Sequence, residues 1–189
     1  MDAEMEIALV VEDIAWLPLP NRLRVVTGPE VAPEALTKCA FLMGFTEDGL
    51  LVMANNRRRG VEIPGGHREE VEDEIGVRTE TLEETARREG FEEARIVADE
   101  IFPLGYEDLY SEGEAPAHGK YPFPQSYQQF YCGIVELADD PEDFVENDEV
   151  LRPVLLTPEE AEESLRPTQL AMYRAARAFL FEDGARPRI

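Results

Sequence analysis

Lysine is almost absent from this chain: only Lys38 and Lys120 among 18 basic residues are lysines. There is also no G-x4-G-K-[ST] loop, so a P-loop nucleotide site is excluded. Histidine and cysteine are as scarce. His67 and His118 have no neighbouring Cys/His spacing, which argues against zinc. Cys39 and Cys132 fall inside apolar, strand-like segments, so buried free thiols are expected rather than a disulfide or a nucleophile. No apolar run approaches ~18 residues and no charged-then-apolar leader opens the chain, so neither a membrane span nor a signal peptide is expected, and the expected location is cytoplasmic. Positive charge is heavily outnumbered: 41 acidic residues set a formal net charge of −23. Such a surface repels nucleic acid and anionic membranes, but admits a small nucleotide if metal cancels charge locally.

What is present is a concentrated acidic signal. Residues 82–96 read LEETARREGFEEARI. On a helix advancing about 100° per residue, Glu89, Glu92 and Glu93 project from one side. Two carboxylates about 4 Å apart repel by about 4 kcal/mol at an effective dielectric near 20, so the pattern calls for a compensating cation. Oxygen-only carboxylate donors suit Mg²⁺ or Mn²⁺, which keep several waters and hold substrate phosphates. A chain so rich in acids also offers the plainer reading of a solvated helix face. Pro64-Gly65-Gly66 tips the balance, because this turn cluster ends the segment Val61 to Ile63 and lets backbone approach a ligand closely. On the same helix, Ala86, Gly90 and Ala94 recur at i, i+4 and i+8. This flat stripe of small residues fits close packing on a sheet, with Leu82 and Phe91 expected as larger anchors.

These residues resemble the Nudix box, G-x5-E-x7-R-E-U-x-E-E-x-G-U with U aliphatic. Gly66 matches the opening glycine, Glu80 the first acid, Arg88 and Glu89 the Arg-Glu pair, Glu92 and Glu93 the Glu pair, and Ile96 the closing aliphatic residue. The chain departs from the pattern in three places: eight residues are inserted between Gly66 and Glu80, Gly90 replaces an aliphatic residue, and Arg95 replaces the glycine at the helix end. The resemblance implies an α/β/α sandwich with a mixed β-sheet. It further implies hydrolysis of a diphosphate linkage in nucleoside di- or triphosphates or related derivatives, with Mg²⁺ or Mn²⁺ as cofactor. ADP-ribose or nucleotide-sugar cleavage is the alternative, and a non-hydrolysing nucleotide sensor is the alternative outside enzymes. By the same resemblance, metal is expected at Glu89, Glu92 and Glu93, with the Gly66 backbone in the shell and Glu80 in its outer layer. Arg88 is expected to brace the carboxylates, its plainer role being an exposed partner of Glu84 or Glu92. The general base is left between Glu93 and Glu149, the latter in an acidic run before the last strand. Calcium buffering by Glu69 to Glu74 fits poorly, since the alternating D-x-D-x-D-G order is missing.

Along the chain, Glu6 to Val11 and Arg22 to Thr27 read as short strands inside an N-terminal extension of residues 1–35. A core of residues 36–156 follows, containing the box at 66–96, and then helices at 157–182, all within one domain. Cys39 to Phe45 and Leu50 to Ala54 read as a hairpin closed by an Asp-Gly turn. Asn55 to Gly60 reads as a basic loop whose Arg57, Arg58 and Arg59 either receive substrate phosphates or pair with surface acids. Arg95 to Tyr110 reads as one strand-like segment with a break at Pro103 and Tyr127 to Leu137 as another, the second with apolar residues on both alternations, as for a strand covered on both faces. The loop between them carries Tyr121 and Phe123. With Tyr127 these could stack on a base or ribose, or pack locally. Val150 to Leu156 reads as the last strand, Thr157-Pro158-Glu159-Glu160 as a helix start, and Thr168 to Phe181 as a terminal helix, with a tail beyond Asp183. The partner is expected to be a small nucleotide. Homodimerisation is left open, with Trp16 and Leu17 as candidates either for an interface or for covering a sheet edge.

Overall fold

The computed structural model describes residues 5–73, 76–117, 119, 121–138 and 150–182. Alternation of apolar residues builds its centre. In β3 (Thr37–Phe45) and β4 (Leu51–Asn56), Met43, Phe45, Leu51 and Met53 face one core, while Ala40, Leu42, Val52 and Ala54 face another. Strands apolar on both alternations have to be covered on both sides. The two are joined by the turn expected from the Asp-Gly signal: Gly49 adopts φ +86° and its N–H donates to Thr46 O at 2.9 Å.

The other strands extend this pair. β1 (Glu6–Glu12) and β2 (Asn21–Thr27) are followed, after β3 and β4, by β5 (Gly60–Glu62), β6 (Gly65–His67), β7 (Glu70–Asp73) and β8 (Gly76–Thr79). Next come α1 (Leu82–Ala94), β9 (Ile96–Val97), β10 (Phe102–Ser111), β11 (Gln125–Ile134), β12 (Glu136–Leu137), β13 (Val150–Leu156), α2 (Pro158–Ser164) and α3 (Pro167–Arg177). The main sheet runs β1-β2-β10-β11-β3-β4-β13, with β5 beside β4 and β6 beside β3. The β11–β3 pair is parallel and its neighbours are antiparallel, so the sheet is mixed. α1 covers one face through Leu82, Ala86 and Ala94, and α3 covers the other through Met172, Tyr173 and Ala176. The α/β fold with flanking helices is the one expected.

The sequence reading needs three adjustments. The segment from Arg95 to Tyr110 is two strands, β9 and β10, separated by residues 98–101; the break expected at Pro103 is a register shift between Pro103 and Gly105 inside β10, where proline lacks the N–H that a regular ladder requires. Tyr127 to Leu137 likewise divides into β11 and β12, the latter pairing with β9 in a separate ribbon. Phe91, expected as an anchor, is 42% exposed, with the Arg95 guanidinium 5.1 Å from its ring centre. The N-terminal strands are part of the main sheet, and β1 lies at its edge. Trp16 is exposed, whereas Leu17 packs against the core. Both cysteines are buried free thiols, as expected. Burial pushes Cys132 up to about 12 and Cys39 up to about 11.

The small-residue stripe of α1 does what its spacing predicts. A Cβ on Gly90 would lie 2.9 Å from Leu42 Cδ2, so glycine allows this approach to the sheet without displacing Leu42. The helix starts with a reciprocal capping box between Thr81 and Glu84 and ends at Arg95, which takes the left-handed conformation itself (φ 54°, ψ 27°). The geometry usual for a glycine stop is kept with a side chain that pays a steric cost for it, about 1–2 kcal/mol. Arg95→Gly is therefore expected to be more stable than Arg95→Ala by about 1 kcal/mol, the reverse of their order inside a helix. Both variants lose the guanidinium, so urea titration of the pair isolates the backbone contribution.

Candidate active site

The acidic end of α1 is organised by Arg88. Its Nε and Nη2 donate to the two oxygens of Glu80 at 2.8 and 3.0 Å. Nη1 donates to Glu89 Oε1 and Glu92 Oε2, both at 3.0 Å, and Nη2 also donates to His67 O at 2.9 Å. A planar guanidinium suits this bidentate grip. Glu80 is only 3% exposed and accepts two further bonds, from the Glu69 N–H and the Thr85 hydroxyl. The Arg88 bonds hold its carboxyl below the ordinary glutamate range, against the opposing effect of burial. Its oxygens are thus committed to the protein framework behind the acidic face.

Glu89 lies against backbone. A Cβ on Gly66 would fall 2.6 Å from Glu89 Cδ, so the glycine leaves the space the carboxylate occupies. Burial raises the Glu89 carboxyl above its ordinary value; Arg88 counteracts this, while Glu93 and Glu92 add to it. Glu93 is engaged at both oxygens: Oε2 accepts the Gly65 N–H at 3.0 Å and Oε1 accepts Arg59 Nη2 at 2.7 Å.

Arg59 comes from the tip of the β4–β5 hairpin. The basic segment is a tight turn rather than an open loop: Asn56 Oδ1 accepts the N–H groups of Arg58 and Arg59 at 2.9 and 3.1 Å, and Asn56 pairs with Gly60. Arg59 Nε also sits 2.6 Å from Glu62 Oε1 in an ion contact lacking hydrogen-bond alignment. Burial raises the Glu62 carboxyl, Arg59 lowers it, and Glu93 raises it again. Glu62 escaped the sequence reading. Its only sequence mark is an acid in the apolar-leaning segment ahead of Pro-Gly-Gly; the pairing with Ala54 that turns it toward α1 is set by strand register.

A cleft of about 500 Å³ is lined by Asn56, Arg58, Arg59, Glu89, Glu92, Glu93 and Val150. It brings together most of the expected residues from α1 and two of the three arginines. Arg57 is on the same turn but does not line this cleft. Tyr121 packs its ring 5.4 Å from that of His67, with its hydroxyl 4.0 Å from Cys39 Sγ. Tyr127 packs edge-on against Tyr106, and Phe123 is partly exposed. None of these three aromatics lines the cleft. Glu149 lies outside the described residues.

Among the described residues, no three Asp, Glu, His or Cys side chains are drawn together as a metal cage. Arg88 binds Glu89 and Glu92, and Arg59 binds Glu93, so guanidinium groups occupy positions next to these carboxylates. The donor chemistry nevertheless fits a hard divalent cation: carboxylate oxygens on one open cleft, with a backbone glycine alongside. Also among the described residues, no helix is long and apolar enough to cross a membrane.

The profile of the NUDIX domain matches residues 37–177. The chain belongs to the Nudix family, hydrolases of phosphoanhydride-type substrates. Its fold is similar to that of the Bacillus subtilis pyrophosphohydrolase BsRppH, solved as a mutant, with 15% identity, a TM-score of 0.57, and coverage of 93% of this chain and 99% of that one. The MutT NUDIX hydrolase from Burkholderia pseudomallei is 16% identical, with a TM-score of 0.45 and coverage of 72% and 95%. No curated protein matches.

Because Arg88 depresses the Glu80 carboxyl, the stabilisation from their pairing is complete above the unfolded glutamate value of about 4.3. It is lost as pH falls through the lower folded value. Glu80→Gln is expected to cost about 2–3 kcal/mol at pH 7, with the gap to wild type narrowing below pH ~4. Thermal melts of both proteins between neutral pH and pH 3 check this, and a gap independent of pH would contradict it.

Proposed function

We propose that the chain is a Mg²⁺- or Mn²⁺-dependent hydrolase cleaving the diphosphate linkage of nucleoside di- or triphosphates or related nucleoside diphosphate derivatives. ADP-ribose and nucleotide sugars are the alternatives within the class. The observation that carries this reading is the cleft in which Glu89, Glu92 and Glu93 face Arg58 and Arg59. Carboxylates and guanidinium groups lining one cleft match a substrate that is both metal-bound and anionic.

In this reading Glu89, Glu92 and Glu93 hold the cation, the Gly66 backbone stands beside it, and Glu80 acts from behind by fixing Arg88. When bound, the ion supplies neutralisation of phosphate oxygens and a lowered pKa for the attacking water. Arg58 and Arg59, at the tip of a tight turn, orient the substrate by its phosphates. Glu93 is a candidate to take the proton, and Glu149 is the other. The hairpin of β7 and β8 is read as the eight-residue insertion, which places it in a loop that shapes access and leaves the spacing from Glu80 to Glu93 intact.

A non-hydrolysing sensor would draw support from the unusual Gly90 and Arg95 and from the eight-residue insertion. Gly90 and Arg95 have local explanations, one in packing against Leu42 and the other in the helix stop. Neither bears on the carboxylates, and the mutually repelling set Glu89, Glu92 and Glu93 speaks for catalysis over sensing alone.

Product release is expected with Mg²⁺ or Mn²⁺ on one class among nucleoside tri- and diphosphates, ADP-ribose, nucleotide sugars and dinucleoside polyphosphates. Glu92→Gln and Glu93→Gln are expected to lower kcat/KM by ~10²-fold or more. Nucleotide binding with no turnover on any of these compounds would overturn the hydrolase and leave the sensor.

A further inference from the structure

The two arginines at the carboxylates are held very differently. Arg88 is 20% exposed and grips Glu80 in bidentate fashion while also bonding His67 O, Glu89 and Glu92. Leaving would strand the nearly buried Glu80 carboxylate, so Arg88 is a fixed part of the framework. Arg59 is 55% exposed, rises from a hairpin turn, and its guanidinium rests on two carboxylates that come from different elements, Glu62 of β5 and Glu93 of α1. One releasable charge bridges two acids that otherwise repel each other. Burial raises the Glu62 carboxyl first of all, the bridging Arg59 guanidinium lowers it, and Glu93 raises it again.

We propose that Arg59 is a resident cation that holds Glu62 and Glu93 together until a divalent metal takes its place, after which the freed guanidinium grips the substrate's phosphate. The proposal rests on the hydrolase reading above and assigns Glu62 a positioning role in it. A divalent ion carries twice the charge of a guanidinium and prefers the same hard oxygens, so exchange at Glu93 is favoured once metal arrives. The displaced side chain remains on the wall of the same cleft, where Arg58 also stands. Metal occupancy and phosphate binding are thereby coupled through one side chain. The coupling is reciprocal, so a phosphate that captures Arg59 also favours metal at Glu93.

The test uses the full chain without substrate. Mn²⁺ binding is measured by calorimetry on wild type, Arg59→Gln and Arg59→Lys, and thermal melts are recorded with and without Mn²⁺. Removing the competing guanidinium is expected to tighten Mn²⁺ binding about tenfold in Arg59→Gln. Lysine keeps the charge but not the fork that reaches both acids, so Arg59→Lys is expected to fall between the two. The melting temperature of Arg59→Gln is expected to drop without metal and to recover with saturating Mn²⁺. Adding Glu62→Gln is expected to remove most of that drop. With substrate, KM is expected to rise about tenfold and kcat to change less than threefold. Unchanged or weaker Mn²⁺ binding in Arg59→Gln, with wild type active, overturns the proposal and leaves the hydrolase standing. A wild type that neither binds Mn²⁺ nor turns over any nucleotide overturns both.

Discussion

The arrangement of the site depends on the pairing of Arg88 with Glu80. Three glutamates on one side of α1 repel one another and weaken the helix end that carries them. Arg88 counters this by spending one guanidinium on several acceptors at once, two of them on a carboxylate that is almost fully buried. That buried partner gives the pairing its direction, because Glu80 also accepts from the Glu69 N–H and from Thr85 on α1. The side chain of Arg88 is therefore fixed to both ends of the segment between Gly66 and Glu80. It presents its remaining N–H groups to Glu89 and Glu92 at a set position.

The same pairing explains how a hairpin can hang beside the site without disturbing it. β7 and β8 are held at their base by Glu80 N–H to Glu69 O and by Arg68 Nε to Glu80 O. Arg78 pins the outer part to Asp73 and, at 2.7 Å, to Glu84 in the first turn of α1. Depression of the Glu84 carboxyl to about 2, caused first by Arg78, reflects that second anchor. Both ends of the segment between Gly66 and Glu80 are thus fixed, at the base by Glu69, Arg68 and Glu80 and further out by Arg78 to α1.

Much of this was legible in local pattern. The Asp-Gly turn, the strand alternations of β3, β4 and β11, the capping signal at Thr157 and the small stripe of α1 are short-range features whose physics lies within a few residues. The box identified which acids belong together, since their spacing is a property of one helix. What could not be read came from long-range register. β1 and β2 join the main sheet through β10, more than 75 residues later in the chain. Arg59 meets Glu93 across 34 residues, and Glu62 enters the site only because β5 pairs with β4 in the register that faces it toward α1. Nothing in the composition of Val61-Glu62-Ile63 fixes that register. Other features were legible but went unread: Thr81-x-x-Glu84 is a capping box in sequence, and the alternation around Gly76 marks a hairpin.

The charge of the whole chain sets the terms on which such a site can work. A protein with net charge −23 presents a long-range barrier to an anionic substrate, and its few cations have to act at short range, where position outweighs number. Arg58 and Arg59 meet that requirement by lining the same cleft as the acids, Arg59 in direct contact with Glu93. The acids themselves cannot be left bare, because uncompensated carboxylates inside a half-enclosed cleft would raise both the folding cost and the barrier to the substrate. Two guanidinium groups resolve this conflict in different ways. Arg88 neutralises permanently and keeps the shape of the site. Arg59 neutralises at a half-exposed position on a turn, where a stronger cation can compete for the same oxygens. An acidic cleft for an anionic ligand needs positive charge at short range, and here part of it is built into the framework through Arg88.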